Sequence, residues 1–124
     1  MDENLGKVTI APNVLVTIVQ KTSMSEPGVA QLCDKVPGVK RLLGMHTVSR
    51  GVGVSVADNL VTVNVHLIAR RGVDLLQMGR SLQSQITRAM QDIVGMEVCE
   101  VNIHIDDIAT ELSADAGSEK ARGG

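Results

Sequence analysis

Two short segments of this chain nearly repeat one another: Val63-Asn64-Val65-His66-Leu67 and Val101-Asn102-Ile103-His104-Ile105. In each, Asn and His fall at alternate positions. A strand sends alternate side chains to the same face, so two amides and two imidazoles would project together, with Glu100 and Asp106 nearby. Imidazoles beside carboxylates are ordinary ligands for zinc and related ions. The plainer chemistry is a polar ladder in which neighbouring Asn and His hydrogen-bond across strands. No third ligand stands at the short spacing of a metal motif, so the ladder is the reading adopted, without metal or cofactor.

Other chemistries find less support. Acyl transfer needs an activated Ser or Cys beside a base, and no GxSxG or Cys-His signature is present. Gly51-Val52-Gly53 lacks the GK[ST] of a P-loop and the third glycine of a dinucleotide fingerprint, and is read as keeping an open sheet face flat. Asp106 and Asp107 are adjacent on a strand and therefore point apart, which makes them poor partners for acid–base work. The chain contains no Phe, Tyr or Trp, where about 8 aromatics would be unsurprising at average usage. Base stacking, aromatic cages and Pro-rich-peptide grooves all need rings and are disfavoured. The reading is of a non-enzyme with no small-molecule substrate.

The elements that would position these residues are legible in part. Asp58 and Asn59 tolerate positive φ, as a two-residue hairpin loop requires. Folding about them pairs Val56 with Val61, Val54 with Val63 and Val52 with Val65 on one face. The other face then pairs Ser55 with Thr62, Gly53 with Asn64 and Gly51 with His66. A slip of one residue would mix the faces, so the register is strongly specified. Asp74 is a helix N-cap with Gln77 three residues on, a capping box, and Leu75, Leu82, Ile86, Ala89 and Ile93 recur at helical spacing before Gly95 supplies a left-handed stop. Cys99, Val101, Ile103 and Ile105 then alternate with Glu100, Asn102, His104 and Asp106. A helix over 75–94 linking strands near 69 and 98 makes those strands parallel. Earlier, Val8 and Ile10 alternate with Lys7 and Thr9 as a short strand. Pro12 opens a helix whose face is Val14, Leu15, Ile18, Val19 and Thr22, and which ends before Pro27-Gly28. The echo of PGVxxL at Pro27–Leu32 and Pro37–Leu42 is too short for a solenoid unit and reads as turn chemistry. The expected fold is α+β: a two-layer sandwich with a mixed three- to four-stranded sheet and helices packed on one face. One domain is expected over 5–108, followed by a disordered charged tail at 109–124.

Charge is unevenly spread. From Lys35 to Arg88 there are eight Lys and Arg against Asp58 and Asp74, and from Asp92 onward eight acids against Lys120 and Arg122. Such a dipolar chain can associate head to tail or meet an anionic surface. Lys40, Arg41, Arg50, Arg70 and Arg71 form the candidate basic surface. This basic region keeps open an alternative, an RNA- or anion-binding module, although no sheet aromatics and no GXXG loop support nucleic acid. Cys33 and Cys99 form no CxxC pattern. Cys99, on the apolar side of its strand, reads as a buried thiol in a reducing compartment. Residues 1–7 carry acids and no apolar run, unlike a signal peptide, and no segment approaches the roughly 20 apolar residues of a membrane span.

Four segments in order, GKVTIAP at 6–12, EPGVAQL at 26–32, SRGVGVSV at 49–56 and GMEVCEVNIHIDDI at 95–108, resemble the bacterial alkaline-shock-protein family of envelope stress response proteins. The resemblance covers about residues 5–108, and VNIHI after a GMEV helix stop is its most specific piece. It implies a small, non-catalytic, cytoplasmic protein that self-associates, whose relatives are in some cases held at the inner face of the membrane by a small anchor protein. No catalytic residue carries over. The chain departs from the family in its glycine-ended tail and its longer, basic 33–50 connection. The expected working surface is the sheet face bearing Ser55, Thr62, Asn64, His66, Asn102 and His104, and the expected partners are further copies of the chain and a membrane-proximal protein.

Overall fold

A computed structural model describes residues 5–34 and 45–110. Helix α1 (Pro12–Met24) leads to strand β1 (Val29–Leu32), then β2 (Met45–Ser49), β3 (Val52–Ala57) and β4 (Leu60–Ala69). Helix α2 (Leu75–Ala89) runs into a π-helical turn (Met90–Val94), and β5 (Glu97–Ile108) follows. The sheet is mixed. β5 runs parallel to β4, whereas β1, β2 and β3 pair antiparallel with their neighbours. It has five strands because β3 and β1 lie end to end along the same edge of β4. His66 marks the handover: its N–H donates to the Gly51 carbonyl at 2.7 Å, and its carbonyl accepts from the Cys33 N–H at 3.0 Å.

The hairpin between β3 and β4 has the expected register, Val56 with Val61, Val54 with Val63 and Val52 with Val65. Its turn residues Asp58 and Asn59 have φ of 52° and 68°, the pair of left-handed residues that matches the twist of flanking strands. A second turn of this kind, at Arg50-Gly51 (φ 38° and 77°), joins β2 to β3. Both helices cover the valine face. Leu15, Val16 and Val19 of α1 and Met78, Leu82, Ile86 and Met90 behind them pack on Val52, Val54, Val61, Val63, Val65 and Leu67 in one aliphatic core.

Several details differ from the sequence reading. Lys7, Val8, Thr9 and Ile10 lie outside any strand, and Val8 is 92% exposed. No described strand runs beside them to complete a ladder. The inward face of α1 is Leu15, Val16, Val19 and Ser23 with Ile18 packed beside it, so of the expected face Leu15, Ile18 and Val19 pack inward and Val14 is exposed. Asp74 accepts from the Gln77 N–H at 3.1 Å, so one half of the capping box forms. The widened π turn adds a residue to the last turn of the helix. Val94 therefore packs on the core, and Ile93 is turned out to 66% exposure. Gly95 (φ 74°) ends the turn, with the Met96 N–H donating to the Met90 carbonyl. Cys99 is exposed because a β-bulge breaks the alternation: Val98 pairs with Val61, and the next pair is Glu100 with Thr62. Ala109 is buried and its N–H donates to the Ala69 carbonyl, so the sheet layer reaches the first residue of the expected tail. Residues 111–124 of that tail lie outside the described residues, as does the second PGVxxL segment.

Gly51 does not serve to flatten the sheet. A Cβ there would sit 2.8 Å from the His66 carbonyl oxygen and 2.9 Å from that of Cys33, in a backbone conformation that side chains rarely adopt. Gly79, inside α2, meets nothing within 4 Å. The two glycines should therefore respond oppositely to alanine. Gly51→Ala is expected to cost about 2 kcal/mol or more through clash and left-handed strain. Gly79→Ala should gain up to ~1 kcal/mol from helix propensity. Urea unfolding of both variants in dilute solution checks the signs.

Candidate functional site

The face of the sheet turned away from the helices carries the polar ladder. In the β4–β5 register Asn64 stands beside Asn102 and His66 beside His104. The imidazoles stack, with centroids 4.2 Å apart and planes within 7°. His104 Nε2 lies 3.2 Å from Asn64 Oδ1, and the amide oxygen accepts the imidazole N–H. His66 Nδ1 lies 3.0 Å from Asp106 Oδ2, and the carboxylate accepts there. His66 is only 9% exposed, so this bond keeps a polar ring from being buried without a partner. Ser55 and Thr62 pair across β3 and β4 on the same face, both half-buried.

A second β-bulge on β5 leaves Asp106 without a partner on β4, since Ile105 pairs with Leu67 and Asp107 with Ile68. Bulges re-aim side chains in this way. Cys33, delivered by the chain leaving β1, donates its thiol to Asp106 Oδ2 at 3.5 Å. Sequence pattern indicated the histidines and placed Asp106 near them. It gave no sign of Cys33, because the segment holding it has no periodicity and reaches the site only through the end-to-end arrangement of β1 and β3.

Cys, His and Asp thus meet, but in an order that disarms the thiol. Nucleophilic catalysis needs the imidazole next to the sulfur and the carboxylate behind the imidazole. Here the carboxylate lies between them. Burial, followed by the hydrogen bond and negative charge of Asp106, pushes the Cys33 thiol up to about 11, and it stays a neutral donor at physiological pH. Among the described residues, no group of three or more His, Cys, Asp or Glu is placed to hold a metal ion.

The candidate basic surface divides. Lys40 and Arg41 lie outside the described residues. Arg50 is exposed on the β2–β3 turn. Arg70 Nε donates to the Pro27 carbonyl at 3.0 Å, which ties it to the start of β1, and Arg71 follows it on the exposed turn toward α2.

A different feature lies along the outer side of β5. A groove of about 310 Å³ runs between α2 and β5, lined by Leu75, Leu76, Gly79, Arg80, Gln83, Ile103 and Ile105. Gln83 Nε2 donates to the Val101 carbonyl at 3.0 Å, and Arg80 steadies Gln83 at 3.0 Å. Leu76 is 69% exposed at its rim. This groove was not read from the sequence, since Leu76 falls off the helical periodicity of the core positions.

Residues 1–110 match the alkaline shock protein 23 family, which has a cell envelope-related function. The chain belongs to that family. Among relatives, the uncharacterized protein YqhY of Bacillus subtilis (strain 168) is 31% identical over 114 residues, covering 91% of this chain and 84% of its own. A solved structure of Aquifex aeolicus Era bound to GDP and tetrafluoroaluminate has a TM-score of 0.42 at 13% identity, covers 92% of this chain, and is matched over 38% of its own length. That likeness is too slight to carry an argument. Among the described residues, no helix is long and apolar enough to cross a membrane.

His104 makes stability depend on pH. Burial, and then the neighbouring His66, lower the affinity of His104 for its proton below that of an ordinary imidazole, against a smaller opposing effect of Asp106. A depressed histidine is neutral in the fold at pH values where the unfolded chain already binds a proton. Stability should therefore fall as pH drops below about 6.5 and level off below the folded value. His104→Gln, which keeps a donor for Asn64 without a titrating ring, should flatten this dependence between about pH 7 and pH 5. Urea midpoints measured across that range for both proteins check it.

Proposed function

We propose that this protein is a non-catalytic member of the cell-envelope stress response that works by self-association and by binding a membrane-proximal partner from the cytoplasmic side. The observation that carries the reading is the set of large apolar side chains left on the surface of an otherwise well-sorted fold: Leu5, Val8, Leu76, Ile93 and Ile108. Burial of apolar area on association contributes about 25 cal/mol per Å² before the costs of ordering are subtracted. The polar cluster supports the same reading, since its groups are spent on one another and its thiol is held neutral. A family with a cell envelope-related function agrees with an adaptor role at the membrane.

Opposite charge excesses before and after residue 90 add an electrostatic component. That component is screened beyond roughly 10 Å at 0.1 M salt and roughly 3 Å at 1 M, while apolar contacts persist or strengthen. Light scattering of the full chain across this salt range should give an oligomer that loosens as salt rises but does not dissociate fully. The monomer mass at every concentration and every salt would remove self-association from the account.

A further inference from the structure

We infer that the groove between α2 and β5 receives the Lys7–Ile10 segment of a second copy of this chain, added as a strand along the free edge of β5. The inference rests on the self-association reading and names the surfaces that would carry it.

Four observations converge on it. The segment alternates as a strand does, yet among the described residues it has no ladder partner, and Leu5 and Val8 are about as exposed as side chains can be, at 91% and 92%. β5 is a long strand whose described strand partner is β4 alone; Gln83 holds its Val101 carbonyl and must release it to an incoming strand, and the rest of that edge is a template for one. Gly79 lines the groove, and among the described residues nothing beyond its chain neighbours and its own helix backbone comes within 4 Å of where its Cβ would be. A glycine in a helix interior without a local steric reason is suited to the close approach of another backbone. Charge also matches: the exposed side chains of β5 include Glu97, Glu100, Asp106 and Asp107, whereas the incoming segment carries Lys7.

Parity makes the fit specific. A strand laid on β5 sends alternate side chains to opposite faces of the sheet. With Val8 and Ile10 toward the helices, they enter the groove beside Leu76, Gly79, Ile103 and Ile105. Lys7 and Thr9 then project on the polar face, beside the acids and the His104 ladder. Within one chain α1 packs over β1, β2 and β3 and against α2, and α2 packs against β5, so α2 stands between the helix that follows the segment and the groove. The donor surface and the acceptor surface are different parts of the molecule, and each copy carries one of each.

Two full-length variants test this separately and together. Val8→Asp with Ile10→Asp spoils the segment at exposed positions, and Gly79→Gln fills the groove at a position with free space, so neither should disturb folding; circular dichroism and urea midpoints verify that. In sedimentation velocity each variant alone is expected to associate at least tenfold more weakly than the unaltered chain. An equimolar mixture should form a two-chain species, because one intact segment and one intact groove remain. Variants that self-associate as the unaltered chain does would overturn the groove assignment while leaving self-association standing. An unaltered chain that is monomeric throughout, including one whose segment docks on its own groove, would overturn both.

Discussion

Val61, Val63, Val65 and Leu67 alternate along β4 with Thr62, Asn64, His66 and Ile68, and only one placement of the strand keeps the first set dry. A shift of one residue would drive an amide and an imidazole into an aliphatic layer, where each unbonded polar group costs a few kcal/mol. The turn at Asp58-Asn59 fixes the register on one side of β4, and the short crossover through α2 fixes a parallel neighbour on the other. With β4 set, the helices have one apolar face to cover. The opposite face keeps the polar ladder.

That ladder is built by departures from regular pairing. The bulge at Asp106 brings a carboxylate to His66, and the handover of the β4 edge from β3 to β1 brings Cys33 to the same carboxylate. Gly51 permits the handover, since three backbones crowd around a position where no Cβ fits. The result is a braced polar cluster whose thiol is kept protonated by its neighbours. The outer edge of β5 and the side of α2 are among the places where apolar surface remains open.

Sequence pattern revealed the parts governed by strict periodicity or special backbone angles. The valine hairpin, the Asp74 cap, the Gly95 stop and the shared face of Asn64, His66, Asn102 and His104 all follow from parity and φ, whereas the β4–β5 register does not. It was blind to insertions that change parity midway: the π turn that exchanges Ile93 for Val94, and the bulge that exposes Cys99. It was also blind to β1 and to the turn at Arg50-Gly51, whose positions depend on contacts distant in the chain. Lys7–Ile10 is a separate case. Its alternation is that of a strand, and the described chain offers it no neighbour, so the pattern reports a preference that one copy alone leaves unmet.

Amide hydrogen exchange read by mass spectrometry, as a function of protein concentration, tests the central claim most directly. The account predicts that peptides covering Glu97–Ile108 and those covering Lys7–Ile10 gain protection together as concentration rises through the micromolar range. The Val61–Ala69 peptides, already paired on both edges, should stay unchanged. Protection of the first two regions that is independent of concentration would contradict it.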